Sequence, residues 1–172
     1  VTTCCPTVNR LVECYYPDLI DQLAPVVSPM IAHARLLKKS LDAKVRVVFI
    51  GPCISKMDEA SDIRHDTDVD AVLNFDEVET WLKEENICVN ECEEASFLNA
   101  SSKILRMYPV TDGIIASLQA RGDINGYRTM SVDGVQECQD LFAAMRRGEV
   151  HHCVIEINAC KGGCVNGPVK AK

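Results

Sequence analysis

Four cysteines lie beside predicted elements in a pattern that suggests one shared site. Cys5 lies at the start of a predicted helix, Cys53 follows a short strand, and Cys160 and Cys164 follow another strand. Sites in parallel sheets form at the carboxyl ends of the strands, so we expect these thiols at one edge of one sheet. Four thiolates are the usual ligands of a [4Fe–4S] cluster. Their spacing favours such a cluster, with zinc as the alternative, because zinc sites typically use paired C-x₂-C hooks.

The rest of the composition is that of an ordinary globular chain. The 172 residues are 47% hydrophobic and 25% charged, which predicts a single domain over residues 1–172, or one lobe of a larger domain, and excludes disorder. The net charge of −7 argues against nucleic acid and anionic membranes as partners. No apolar run reaches the roughly 18 residues of a membrane span. Ten cysteines without a visible signal peptide indicate reduced thiols and a cytoplasmic location.

Apolar periodicity predicts an α/β fold with an about four-stranded, mostly parallel sheet flanked by helices. The predicted strands are residues 45–50, 70–73, 127–132 and 153–157. The predicted helices begin at Pro6, at Pro29 and after Asn74, and cover residues 113–118 and 135–145. Trp81, at helical spacing after Asn74, is expected in the core, and residues 91–102 are expected to form a loop.

Three short motifs follow one another along the chain. Residues 3–6 are TCCP, residues 51–59 are GPCISKMDE and residues 156–164 are EINACKGGC. They closely resemble the signature motifs of the iron-only ([FeFe]) hydrogenase catalytic domain, roughly T-S-C-C-P-x-W, M-P-C-x-x-K-x-x-E and E-x-M-A-C-x-x-G-C. Segments between them match as well: YYPDLI at 15–20, SPM at 28–30 and DVDAVL at 68–73. The resemblance therefore spans the whole chain.

This resemblance implies an H-cluster, in which a [4Fe–4S] cluster is joined to a di-iron subcluster. The implied ligands of the four-iron part are Cys5, Cys53, Cys160 and Cys164, the last also bridging to the di-iron unit. Lys56 is expected to donate a charge-assisted hydrogen bond to a cyanide ligand of the distal iron. Cys4 is expected to pass protons between the cluster's bridging amine and the protein exterior. The implied reaction is reversible H₂ oxidation and proton reduction.

The resemblance also implies what accompanies this chain. The family's catalytic domain has two lobes, of which these residues would form one. We therefore expect hydrogenase activity from the intact protein and none from this lobe alone. The implied partners are H₂ and protons, together with an electron carrier such as ferredoxin or an attached signalling domain.

Departures from the family pattern point to a divergent branch. The family's tryptophan after the first motif is absent, and Gly51 and Asn158 stand where its two methionines usually pack around the di-iron unit. These changes resemble the sensory branch, in which the domain is joined to a signalling module, and predict a more open or more polar pocket. The alternative is a non-catalytic iron–sulfur assembly protein. Such relatives typically lack the first cysteine of the pair, so Cys4 favours hydrogen chemistry.

Five further cysteines match no ligand of the family: Cys14, Cys88, Cys92, Cys138 and Cys153. We expect them to be packed or exposed thiols, with a second metal at Cys88 and Cys92 as the alternative. Glu59, at the end of the second motif, is expected either to hydrogen-bond a loop or to relay protons.

Overall fold

The computed structural model describes residues 1–42, 44–65, 67–97, 106–122, 124 and 126–170. The α-helices in these ranges are α1 (Pro6–Tyr15), α2 (Pro29–Ser40), α3 (Ser55–Ala60), α4 (Phe75–Glu84), α5 (Gly113–Arg121) and α6 (Val135–Arg146). The strands are β1 (Val48–Ile50), β2 (Ala71–Leu73), β3 (Arg128–Asp133) and β4 (Cys153–Asn158). Short 3₁₀ turns include Pro17–Gln22 and Cys164–Asn166.

All strand pairs in the described ranges are parallel, and helices flank them. β1 pairs with β2 in the register Val48 to Ala71, and β3 pairs with β4 in the register Arg128 to Cys153. The α/β class with parallel strands is thus confirmed. The described strands form two sheets of two strands each, rather than the single sheet expected from the sequence. Apolar periodicity identifies a strand but carries no information about which strand lies beside it.

The larger core lies between α1, α6 and β4. Val8 and Val12 of α1 are buried against Phe142 of α6 and against Ile155 and Ile157 of β4. Proline at the first position of α1 fixes a helical φ where no amide partner is needed, and Pro17 prevents the helix from continuing. Val8 and Val12 therefore form the core face of this helix.

The smaller core lies between α2 and the β1–β2 sheet. Met30, Ile31 and Ala34 of α2 pack with Val69, close to Phe49 of β1. α2 begins at Pro29 after Ser28, as predicted. Lysines near the end of α2 are stabilised by the negative end of the helix dipole. Lys38 also forms an ion pair with Asp70 at 2.9 Å.

The helix that follows Asn74 forms as predicted, but its tryptophan does not enter the core. The Asn74 side chain accepts a hydrogen bond from the Glu77 amide, and the Glu77 carboxylate accepts one from the Asn74 amide, which completes a capping box. Trp81 is 53% exposed, so its assignment to the core is wrong. Helical spacing identifies a shared apolar face, whereas its burial requires another element to cover that face.

Thr2 is hydrogen-bonded to β4, which brings the residues before α1 beside that strand. The amide of Thr2 donates to the carbonyl of Ile155 at 2.8 Å, and the amide of Ile157 donates to Thr2 Oγ1 at 3.2 Å.

Of the predicted loop at 91–102, residues 98–102 lie outside the described residues, and residues 92–97 form neither helix nor strand. None of the helices within the described ranges combines the length and apolar character needed to cross a membrane.

Candidate metal centre

The motif cysteines are placed by three separate junctions of the fold. Cys5 is the residue before α1, and Cys4 precedes it. Cys53 lies in the turn between β1 and α3, while Cys160 and Cys164 belong to the loop that follows β4. Cys5 is 7% exposed and the other four are half-buried. A helix start and two strand ends thus carry the five thiols. Because β1 and β4 belong to different sheets, the expectation that the thiols lie at one edge of one sheet is wrong.

These thiols lie close enough to affect one another's ionisation. Burial raises the pKa of Cys164 to about 12, and the negative charges of Cys4, Cys5 and Cys53 add to this effect. Burial likewise raises the pKa of Cys160, with Cys5 and Cys53 contributing. These shifts favour the protonated thiols of Cys160 and Cys164 in the absence of a cation, and bound metal supplies the positive charge that stabilises thiolates.

The chemistry of this donor set fits an iron–sulfur cluster. Among the described residues, no three His, Cys, Asp or Glu side chains are arranged to hold a single metal ion. A [4Fe–4S] cluster has a different requirement, since its four thiolates bind four separate irons. Four sulfur donors from three loops, with a fifth thiol beside them, match that requirement.

Lys56 brings a buried positive charge to the same place. It lies on α3, is 7% exposed, and its ammonium donates to Glu59 Oε2 at 2.6 Å and to the Cys4 carbonyl at 3.2 Å. Burial, and then the charge of Cys5, raises the pKa of the Cys4 thiol to about 11, while Lys56 acts in the opposite direction. The second motif therefore contacts the first directly, through the hydrogen bond from the Lys56 side chain to the Cys4 carbonyl.

The loop that carries Cys160 and Cys164 is held from two sides. Gly163 has φ +90°, and a Cβ atom there would lie 2.5 Å from the Pro109 carbonyl oxygen. Asp133, the last residue of β3, accepts hydrogen bonds from Thr111 Oγ1 at 2.7 Å and from the Gly162 amide at 2.9 Å. These two bonds, the hydroxyl bond first, lower the pKa of Asp133. Glycine is therefore needed for both the backbone conformation and the close approach of residues 109–111.

Two polar residues of the third motif have contacts for which the sequence analysis made no prediction. Glu156 is fully buried and accepts hydrogen bonds from the first amides of α5, and Asn158 touches the sulfurs of Cys4 and Cys164. Burial raises the pKa of Glu156, while the backbone amides oppose that effect. The sequence signal for these contacts was the alternation of Glu156 and Asn158 with apolar residues along a predicted strand, which places both polar side chains on one face.

The remaining cysteines lie away from this centre or in the core. Cys138 is fully buried in the larger core, and its thiol donates to the Asn158 carbonyl at 3.6 Å. Cys14, Cys88 and Cys92 are exposed, and Cys153 is the first residue of β4. The alternative of a second metal at Cys88 and Cys92 receives no third ligand from the described residues.

Known hydrogenases are similar to this chain over nearly all of its length. Iron hydrogenase 1 of Clostridium pasteurianum is 27% identical over 96% of this chain and 37% of its own length. The NADP-reducing hydrogenase subunit HndD of Solidesulfovibrio fructosivorans is 25% identical over 97% of this chain and 36% of its own length. The chain thus spans well under half the length of these two relatives.

Solved structures support the fold. A structure of the [FeFe]-hydrogenase HydA1 from Chlamydomonas reinhardtii superposes with a TM-score of 0.76 at 20% identity, over 99% of this chain and 62% of that one. A second [FeFe]-hydrogenase structure, from work on oxygen inactivation at the H cluster 2Fe subcluster, superposes with a TM-score of 0.75 at 22% identity, over 99% of this chain and 60% of that one. The sequence model of one protein family, the iron only hydrogenase large subunit, C-terminal domain, matches residues 1–168 of this chain, and the chain therefore belongs to this family.

Proposed function

We propose that this chain is the H-cluster-binding lobe of an [FeFe]-hydrogenase-like protein that interconverts H₂ with protons and electrons. The observation that carries the proposal is that thiols from the residues before α1, the β1–α3 turn and the loop after β4 lie close enough to shift one another's pKa, with the buried Lys56 ammonium bonded to the Cys4 carbonyl. The proposed cluster ligands are Cys5, Cys53, Cys160 and Cys164. The family membership of residues 1–168 supports this assignment.

Each residue of the centre has a role that follows from its chemistry. When bound, the iron group supplies the organometallic chemistry of H₂ cleavage, which no side chain can provide. Cys4 Sγ holds a proton at the edge of the ligand set and releases it toward the exterior. Lys56 uses two of its three N–H bonds on Glu59 and Cys4, and we assign the third to an anionic ligand of the bound group.

The wider assignment is a cytoplasmic hydrogen sensor. Gly51 and Asn158 replace bulky apolar side chains of the family pattern, which supports a more open, more polar pocket suited to slow turnover and signalling. Electrons would pass to a carrier such as ferredoxin or to an attached signalling domain. Activity requires the second lobe, so the isolated chain is expected to bind the four-iron part and to have no hydrogenase activity.

Anaerobic reconstitution with iron and sulfide tests the cluster site. We expect about four irons per chain and an EPR signal on reduction, both lost when Cys5, Cys53, Cys160 or Cys164 is changed to Ser. Cys14→Ser, on the exposed side of α1, is the matched control and should retain both. Zinc as the only bound metal, or iron that survives the four ligand changes, would contradict the assignment.

Hydrogen chemistry is tested separately in the intact protein after insertion of the di-iron unit. H₂ uptake by the wild type and its loss in Cys4→Ser, with the iron content unchanged, is the expected result. A protein that binds both iron units and shows no H₂ uptake or evolution would instead be a non-catalytic iron–sulfur protein.

A further inference from the structure

Two polar side chains are buried side by side on one face of β4. Glu156 is 0% exposed and Asn158 is 4% exposed, whereas Ile155 and Ile157 enter the larger core. Side chains alternate along a strand, so the two polar groups share the face opposite the isoleucines. Burial of an amide and a carboxylate is costly unless both are hydrogen-bonded, and their partners therefore define what they do.

Glu156 is anchored by the start of α5. Its Oε2 atom accepts hydrogen bonds from the amides of Ile114 and Ile115, both at 3.0 Å. The first amides of a helix have no partner within it and favour a negative group, so this carboxylate is fixed in place. Its other oxygen, Oε1, lies 3.5 Å from Asn158 Nδ2. The carboxylate thereby determines which end of the Asn158 amide points toward it.

The opposite end of that amide points at two sulfurs. Asn158 Oδ1 lies 3.8 Å from Cys4 Sγ and 3.7 Å from Cys164 Sγ, and each thiol donates to it. Cys4 Sγ also lies 3.9 Å from Thr2 Oγ1. Because Thr2 Oγ1 already accepts from the Ile157 amide, its own hydrogen is available to the Cys4 sulfur. Cys4 is thus placed between a hydroxyl donor and an amide acceptor.

We propose that Asn158, held by Glu156, is the positioning residue that directs the Cys4 thiol proton. The S–H bond of Cys4 lies along the line from Sγ to Asn158 Oδ1, beside the sulfur of Cys164. The inference rests on the proposed function for its meaning, since Cys4 is the assigned proton carrier. When Cys164 binds metal as a thiolate it no longer donates, which leaves Asn158 Oδ1 to Cys4 alone.

The S–H stretching band of Cys4 reports this hydrogen bond directly. It is isolated as the infrared difference between the wild-type chain and Cys4→Ser, both reduced and metal-free. In Asn158→Leu the acceptor is lost and the band should move to higher wavenumber. Asn166→Leu, two residues after Cys164 on the exposed 3₁₀ turn, is the matched control and should leave the band in place.

Glu156→Gln provides a second variant that leaves Asn158 itself unchanged. The Gln carbonyl keeps the bonds to the α5 amides, so its NH₂ group faces Asn158. The Asn158 amide then has to turn around, which presents Nδ2 instead of Oδ1 to the sulfurs. We therefore expect the same upward band shift as in Asn158→Leu. This variant alone decides the question if circular dichroism shows that Asn158→Leu does not fold.

A band that stays at its wild-type position in Glu156→Gln overturns the inference, because Glu156 would then not determine the orientation of the Asn158 amide. A band that stays in place in a folded Asn158→Leu overturns it as well. Neither result depends on iron, so a failure here is separable from a failure of the proposed function. The latter is judged by the iron content of the reconstituted wild type, which Asn158→Leu should match.

Discussion

Lys56 and Glu59 form a buried ion pair, and we predict that removing one partner destabilises the fold far more than removing both. Their side chains are 8% and 9% exposed, with Nζ and Oε2 2.6 Å apart on one turn of α3. Lys56→Met leaves the Glu59 carboxylate buried without a cation, a change that costs about 3–5 kcal/mol. This corresponds to roughly two to nearly four powers of ten in the unfolding equilibrium constant.

The double variant Lys56→Met, Glu59→Leu should recover most of that loss. Two apolar side chains replace the pair without leaving an unpaired charge, an exchange that is often neutral. The remaining cost is the hydrogen bond from Lys56 to the Cys4 carbonyl, about 1 kcal/mol. The measurement is urea unfolding of the reduced, metal-free chain, read by circular dichroism, with an unchanged dependence on denaturant concentration as the sign of a two-state transition.

The pair between Lys83 and Glu79 on α4 is the matched control. Its nitrogen–oxygen distance is also 2.6 Å, but the side chains are 72% and 64% exposed. Lys83→Met should cost no more than about 0.5 kcal/mol, because water and salt screen exposed pairs. The reasoning is refuted if Lys56→Met is as mild as Lys83→Met, or if the double variant is no more stable than Lys56→Met.

Three further outcomes are expected. Gly163→Ala, with φ +90° and the Pro109 oxygen 2.5 Å from the new Cβ, should lower stability in urea and iron per chain. Gly122→Ala, with φ +75° and open space around it, should cost only about 1–2 kcal/mol and keep the iron. Asp133, whose pKa is lowered from 3.8 by a hydroxyl and an amide hydrogen bond, stabilises the fold fully above that value. As the pH falls from about 5 to about 2 this contribution is lost, and Asp133→Asn should show a smaller decrease in Tm over that range. Phe142→Ala, at a position 1% exposed, should cost about 3–5 kcal/mol in urea unfolding; a cost below 1 kcal/mol would mean that α6 is not part of the main core.

Local signals in the sequence predicted the helices and strands well. The capping residue Asn74 fixes where α4 begins, and Pro29 at the first position fixes where α2 begins. Both signals act over three or four residues. α3 was not predicted, because its six residues are too few for an apolar period to be recognised. The missed helix is also the one that buries Lys56 beside Cys4.

Long-range relations account for what the sequence could not predict. Trp81 has the spacing of a core residue, yet no element among the described residues covers it enough to bury it. The separation of the strands into two sheets depends on how whole elements pack. The four ligand cysteines were recognisable from their places beside predicted elements and from the family resemblance, while the contact of Glu156 with Ile114 and Ile115 joins positions more than forty residues apart. Propensities and caps act within a few residues and contain no such information.

The bond between Thr2 and Ile155 means that the centre cannot assemble before β4 exists. Cys4 and Cys5 leave the ribosome about 160 residues ahead of Cys164, an interval of roughly 8–30 s at ordinary rates of protein synthesis. During that time the early thiols are open to oxidation, and iron delivered to the growing chain would meet an incomplete ligand set. Cluster insertion is therefore expected only after β4 and the loop that carries Cys160 and Cys164 have been synthesised.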